Sequence, residues 1–198
     1  MSNNMNEKTL NILAHIQKYG FITACQCANI FYKDNKQALT MAQRKLKSLF
    51  QSKLIDRYKD RISGSFIYTH KKSTISQHDI TIMDLYSYIF NKYQVEYFKK
   101  ECSWPDTKRR SDAHIIFERD DVLVAYLVEV DLYHSTSQRK LDEMFNQGEI
   151  HQWYLDNYDE EFYPDILIIN ATASTKNKSD EYNIKCLNYN LDDIDNVL

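Results

Sequence analysis

The stretch from Asp112 to Asp131, DAHIIFERDDVLVAYLVEVD, constrains the fold more than any other part of the chain. Two apolar runs, one ending at Phe117 and one starting at Val122, flank a polar break at Arg119-Asp120-Asp121. Runs of this kind read as strands, and the break between them as a turn. The pattern predicts a β-hairpin with a long, mostly buried second strand. Asp112 is expected to open the first strand. Glu129 and Asp131 are expected to close the second, on one face because side chains two apart in a strand point the same way.

The flanking segments extend this hairpin into a sheet. Val95 to Cys102 reads as a strand, Trp104-Pro105-Asp106-Thr107 as a loop, and Lys108-Arg109-Arg110 as a short basic run. After the hairpin, one long helix is predicted from about Thr136 to Asn157, with Leu141, Met144, Phe145, Ile150, Trp153 and Tyr154 available for burial. Pro164-Asp165 then leads into ILIIN, an apolar strand suited to a sheet centre. NIKCLNY offers a further strand and LDDIDNVL a short terminal helix or tail. Strand, hairpin, helix, strand implies a mixed sheet with helices on it.

Charge separates this region from what precedes it. Residues 1–72 hold 13 Lys and Arg against 4 Asp and Glu, a balance of +9. Residues 73–198 hold 12 against 24, a balance of −12, so the whole chain reaches only −3. A basic module is fused to an acidic one. Such a module points to a polyanionic partner, most simply duplex DNA.

Within the basic module, Glu7 to Lys18 carries Leu10, Leu13 and Ile16 at helical spacing, and Gly20 ends the helix. Thr23 suits the N-cap of a second helix burying Ala24, Ala28 and Phe31. Asp34 or Asn35 is expected to cap a third helix that runs to about Ser52, with Leu39, Ala42, Leu46, Leu49 and Phe50 apolar. The sequence LIDRYKDR, a turn at Ile62-Ser63-Gly64-Ser65, and FIYTH form a second hairpin. Three helices followed by a hairpin predict a winged helix-turn-helix. The other face of the third helix shows Thr40, Gln43, Arg44, Lys47 and Gln51. Gln43 and Arg44 are placed to read base edges, and Lys45, Lys47 and Lys53 to meet phosphates. Arg57, Lys59 and Arg61 on the wing suit backbone or minor-groove contact. A solvated charged face on a module used for protein contact is the competing interpretation. Residues 73–92 contain HDITIMDLYSYIFNK, with Ile82, Leu85, Tyr86, Ile89 and Phe90 as a helical stripe. The predicted organisation is therefore a winged helix at 1–72, a linker helix at 73–92, and an α+β or α/β mixed-sheet domain at 93–198.

Several classes are disfavoured. Only 3 Gly and 2 Pro occur, which argues against a loop-rich or fibrous chain. The first residues lack the pattern of a secretory signal, and no apolar run reaches the ~18 residues needed to cross a bilayer. A cytoplasmic protein without a membrane partner is expected. Cys25, Cys27, Cys102 and Cys186 match no zinc spacing and read as buried free thiols. There is no G-x-x-x-x-G-K-[ST] loop, no G-x-S-x-G elbow and no pair of histidines one residue apart. His78-Asp79 reads as a helix start with a capping Asp.

The carboxylates carry the remaining chemistry. An acidic residue on one strand and an E-x-K pair on the next is the layout of PD-(D/E)xK metal-dependent nucleases. There, two carboxylates hold a divalent ion, and the lysine orients the attacking water and stabilises negative charge. Here Ser111-Asp112 stands for Pro-Asp, and Glu129-Val130-Asp131 stands for E-x-K. Asp131 thus occupies the lysine position. Either Lys140 on the following helix reaches back to replace the lysine, or a nuclease-like scaffold has lost its chemistry. Catalytic candidates are Asp112, Glu129 and Lys140. Asp112, Glu129 and Asp131 are candidate ligands for Mg²⁺ or Mn²⁺, although no cofactor is required by the DNA-binding reading.

Three stretches resemble the replication-relaxation family of plasmids and other mobile elements. FITACQCANIFY with the third helix and wing is similar to its winged helix, and QHDITIMDLY to its linker helix. SDAHIIF with AYLVEVDLYHSTSQRKLDEM resembles its D-A pair, E-x-D strand end and basic helix, with Ser111 where proline is usual. The resemblance implies a role in plasmid replication, copy control or relaxation before transfer, with a relaxase or replication initiator as a partner. No catalytic residue carries over from it. A DNA-binding accessory protein is the leading expectation, ahead of a winged-helix transcriptional regulator and a metal-dependent endonuclease. A homodimer is compatible with either DNA-binding reading.

Overall fold

The computed structural model describes residues 6–71, 73–159 and 162–198. It is an α+β fold with seven helices, a three-stranded sheet and a mixed five-stranded sheet among the described residues. Contacts divide it into one unit that ends at Lys92 and another that begins at Tyr93.

The first unit runs α1 (Glu7–Tyr19), β1 (Phe21–Thr23), α2 (Ala24–Phe31), α3 (Ala38–Gln51), β2 (Asp56–Lys59), β3 (Phe66–Thr69) and α4 (Gln77–Lys92). Gly20 ends α1 in the left-handed region, at φ 91°, where a side chain would be strained. Three residues later Thr23 begins α2 with a reciprocal cap: its Oγ1 accepts from Gln26 N, and Gln26 Oε1 accepts from Thr23 N. The short segment between these helices is β1, which the sequence pattern does not reveal. It pairs antiparallel with β3, which also pairs with β2, giving the order β1-β3-β2.

The core of this unit is built from Ile12, Ile16, Ile22, Cys27, Ala42, Leu46, Leu49, Ile55 and Tyr68. The apolar stripe of α1 differs from the expected one. Thr9, Ile12, His15 and Ile16 are buried, whereas Leu10 is exposed. Leu39 of α3 is exposed as well, because the inward stripe is Ala42-Leu46-Leu49. Neither Asp34 nor Asn35 caps α3. Its N-cap is Gln37, without a side-chain cap, and Asn35 Oδ1 instead accepts from Gln37 N at 2.8 Å. Helix α4 packs on α2 and groups with the first unit. Gln26 Nε2 donates to Asp84 Oδ1 at 2.7 Å, and Asn29 Nδ2 donates to Ser87 Oγ at 3.2 Å. Ser76 Oγ donates to the Asp79 carboxylate and accepts from Asp79 N, which fixes the start of this helix.

The second unit runs β4 (Gln94–Trp104), β5 (Arg109–Arg119), β6 (Val122–Val130), α5 (Gln138–Asn146), α6 (Glu149–Tyr158), β7 (Asp165–Asn170), β8 (Ile184–Asn188) and α7 (Ile194–Val197). The sheet order is β4-β5-β6-β7-β8, with the first three strands antiparallel and the last two parallel to β6. The hairpin is present, turning at Asp120 and Asp121, both at positive φ (53° and 61°). Two consecutive left-handed residues match the strand twist, which is why a two-residue turn closes here. Asp112 does not open β5, since pairing with β4 extends that strand back to Arg109. Asp131 lies just beyond β6.

The long helix predicted after the hairpin is two helices. Gly148 adopts φ 74° between them, a conformation that cannot continue an α-helix. The break turns the second half so that Ile150 and Tyr154 join Leu141 and Met144 over one face of the sheet. Trp104, Ile116, Leu127, Ile166 and Ile168 complete that core. No cysteine is in a disulfide; Cys27 and Cys102 are buried, while Cys25 is exposed, contrary to expectation. Among the described residues no helix is long and apolar enough to cross a membrane.

Candidate functional site

In the first unit, the apolar stripe of α3 faces the core and therefore turns the opposite face to solvent. Thr40, Gln43, Arg44, Lys47 and Gln51 are all exposed, and Lys45 is half-buried at the edge of this face. Lys53 follows the helix at positive φ (57°) and is exposed. Lys59 and Arg61 are exposed on the β2–β3 hairpin. No ion pair engages Arg44, Lys45, Lys47, Lys53, Arg57, Lys59 or Arg61 among the described residues. Among the described residues, no carboxylate pairs with these charges.

Arg57 is the exception to free exposure. Its guanidinium carbon lies 4.3 Å from the Phe50 ring centroid and 4.2 Å from that of Phe66. Two aromatic faces hold one cation, an arrangement that orients the guanidinium without neutralising it. Sequence reasoning named Arg57 but missed the two rings. They come from three different elements, α3, β2 and β3, so only the fold brings them together.

In the second unit, the carboxylates gather on the helix-covered face of the sheet. Ala113 pairs with Val128, which sets Asp112 and Glu129 side by side on neighbouring strands. Asp112 Oδ2 accepts from Val130 N at 2.7 Å, tying the two strands beyond their regular pairing. Asp131 accepts through its carboxylate from Thr136 N and, at 2.7 Å, from Thr136 Oγ1. Its main chain is also held: Asp131 N donates to Ile169 O, and Tyr189 Oη donates to Asp131 O at 2.5 Å.

Glu129 is the buried member, only 2% exposed. Lys140 of α5 reaches back to it, with Nζ donating to Oε2 at 2.5 Å. The other carboxylate oxygen, Oε1, is buried without a hydrogen-bond partner. Burial pushes the Glu129 carboxyl up to about 7; Lys140 opposes that rise, and the Asp112 charge adds to it. Nearby Tyr163 Oη and His151 Nδ1 are likewise buried without partners, their rings 5.2 Å apart. The Tyr163 hydroxyl is raised by burial, with the Tyr182 and Glu129 charges adding to it.

The fold therefore brings Asp112, Glu129 and Lys140 to one place and sets Asp131 at its margin as a loop anchor. Among the described residues, no three His, Cys, Asp or Glu side chains are grouped so as to hold a metal ion. One orphaned carboxylate oxygen beside a second carboxylate is a partial match to a divalent-ion site.

No protein-family model matches the chain, and no curated protein or solved structure matches it either.

Proposed function

We propose that the chain is a duplex-DNA-binding accessory protein of a plasmid or mobile element, acting in replication, relaxation or transfer. Its first unit is read as a winged helix and its second as a nuclease-like α/β domain. The observation that carries this is the outward face of α3, where Thr40, Gln43, Arg44, Lys47 and Gln51 stand exposed with no acidic partner among the described residues. A helix face of that size and hydrogen-bonding capacity fits a major groove. The sheet order β1-β3-β2 supports the winged reading, since β2 and β3 form a hairpin that Arg57 ties to Phe50 of α3. On the family resemblance, a relaxase or replication initiator is the protein partner.

A mobility-shift assay with duplex DNA tests the proposal. The native chain should retard the duplex, and the double variant Arg44→Ala/Lys47→Ala should do so only at much higher protein concentration. Equal retardation by both chains would remove α3 as the reading element.

The Lys140–Glu129 contact favours a second reading, a metal-dependent endonuclease. Asp112 and Glu129 would hold Mg²⁺ or Mn²⁺, which would supply Lewis-acid activation of water and of the phosphodiester. Lys140 would supply the positive charge of the motif lysine, whose place in the sequence Asp131 occupies. Supercoiled DNA incubated with either ion tests this. Cleavage that disappears in Glu129→Gln and Lys140→Ala supports it, and an intact supercoil with the native chain rejects it.

A further inference from the structure

The hairpin of the first unit ends in an unusual residue. Ile62, at its tip, is 73% exposed, more than any other large aliphatic side chain among the described residues. A solvent-facing turn gains nothing from an aliphatic group, and the neighbouring Asp60, Ser63, Gly64 and Ser65 are what such a turn ordinarily uses.

The tip is also fixed in place. Asp60 Oδ2 accepts from Ser63 N and Ser63 Oγ, both at 2.7 Å. Asp60 N donates to Ser65 O at 2.8 Å, and Gly64 N donates to Asp60 O at 3.1 Å. Gly64 makes the turn at φ 68°. At the base of the hairpin, Arg57 is stacked between Phe50 and Phe66, anchoring β2 and β3 to α3. Lys59 and Arg61 both precede Ile62 on the same arm of the hairpin, exposed and without an ion pair among the described residues. An apolar point next to two exposed cations, on a stiff support, has the chemistry of a wedge for a polyanion with an apolar interior. Stacked base pairs between phosphate rows are that target: apolar side chains inserted at a base step unstack it and kink the duplex.

We propose that Ile62 enters the minor groove and inserts between base pairs, bending the duplex, while Lys59 and Arg61 hold the adjacent phosphates. The inference rests on the reading of the first unit as a duplex-binding module. It goes further by giving that module a second task, the deformation of its site. Bending would open or wrap the DNA for whatever enzyme acts next on it.

Ligase-driven circle formation tests the proposal, using the full chain and a linear duplex of about 120 bp, below the ~150 bp persistence length and so slow to close unaided. Mobility shift on the same duplex reports binding separately. The native chain should raise the yield of monomer circles severalfold over bare DNA. Ile62→Ala should retard the duplex at the same protein concentration, because phosphate contacts dominate such binding, yet lose the gain in circles. Ile62→Leu, which keeps the apolar bulk, should retain it. Retardation by the native chain without added circles overturns the wedge and leaves DNA binding standing. Added circles with Ile62→Ala overturn it as well. No retardation by the native chain overturns the DNA-binding reading and the wedge together.

Discussion

Two carboxylates, half-buried Asp84 and buried Glu129, carry opposite kinds of compensation, and each predicts a measurable effect. Asp84 of α4 is raised to about 6 by burial, a rise that the Gln26 hydrogen bond only partly offsets. A carboxyl raised above its unfolded value of 3.8 favours the folded state while protonated. That contribution is complete below pH 3.8 and is lost as pH climbs through 6. Asp84→Asn keeps the acceptor for Gln26 and cannot ionise. It should protect α2 and α4 from hydrogen exchange by about 1–3 kcal/mol more than the native residue at pH 7, and equally near pH 4. An unchanged difference across that range would mean that Asp84 is already ionised at no cost. Glu129 has a cation instead. Lys140→Met should destabilise the second unit by about 3 kcal/mol, because it strands a buried carboxylate. Glu129→Gln in the same chain should recover most of the loss. Urea unfolding followed by Trp104 and Trp153 fluorescence reads both, and a double variant no better than the single would show that the two residues are not coupled. The residues themselves were legible: Asp112, Glu129 and Lys140 stand out by their placement around the apolar hairpin. Their division of labour was not, because which oxygen is partnered depends on where α5 lands. The same holds for Arg57, visible as a basic wing residue but not as a cation between Phe50 and Phe66.

At the scale of elements, strong periodicity was read well and short or interrupted pattern was not. The β5–β6 hairpin, α4 and β7 are present where alternation or helical spacing placed them. Strand β1 spans only Phe21–Thr23, too short to show alternation, and it exists because β3 from far along the chain pairs with it. The segment after Thr136 keeps an apolar helical spacing through Gly148, so sequence alone extends one helix across it. The backbone there is left-handed, and two helices result. Gly148→Ala meets no steric obstacle from a neighbour within 4 Å, yet it must hold φ near 74°. It should cost about 1 kcal/mol in urea unfolding, the penalty of a left-handed backbone for a residue with a Cβ. A neutral or stabilising effect would show that the break is not enforced at Gly148 and that α5 and α6 can fuse.

The whole molecule is organised by its charge. Residues 1–72 balance at +9 and the remainder at −12, so a near-neutral total conceals two chemically different halves. The structural division falls twenty residues beyond the charge boundary, with one unit ending at Lys92 and another starting at Tyr93, because α4 packs with the basic part. Among the described residues, the cations of α3 and the β2–β3 hairpin lack acidic partners, whereas the second unit pairs Arg109 with Glu143, Lys140 with Glu129 and Lys185 with Asp165. Surface cations left unpaired are the ones available to displace counterions from a phosphate backbone. Salt titration of duplex binding by the full chain, compared with Lys47→Ala, Lys59→Ala and Arg61→Ala, therefore tests the account most directly. The native chain should lose affinity linearly on a log–log plot against salt, and each variant should lower the slope by about 0.9. A duplex affinity that ignores salt, or slopes identical in all four chains, would contradict it.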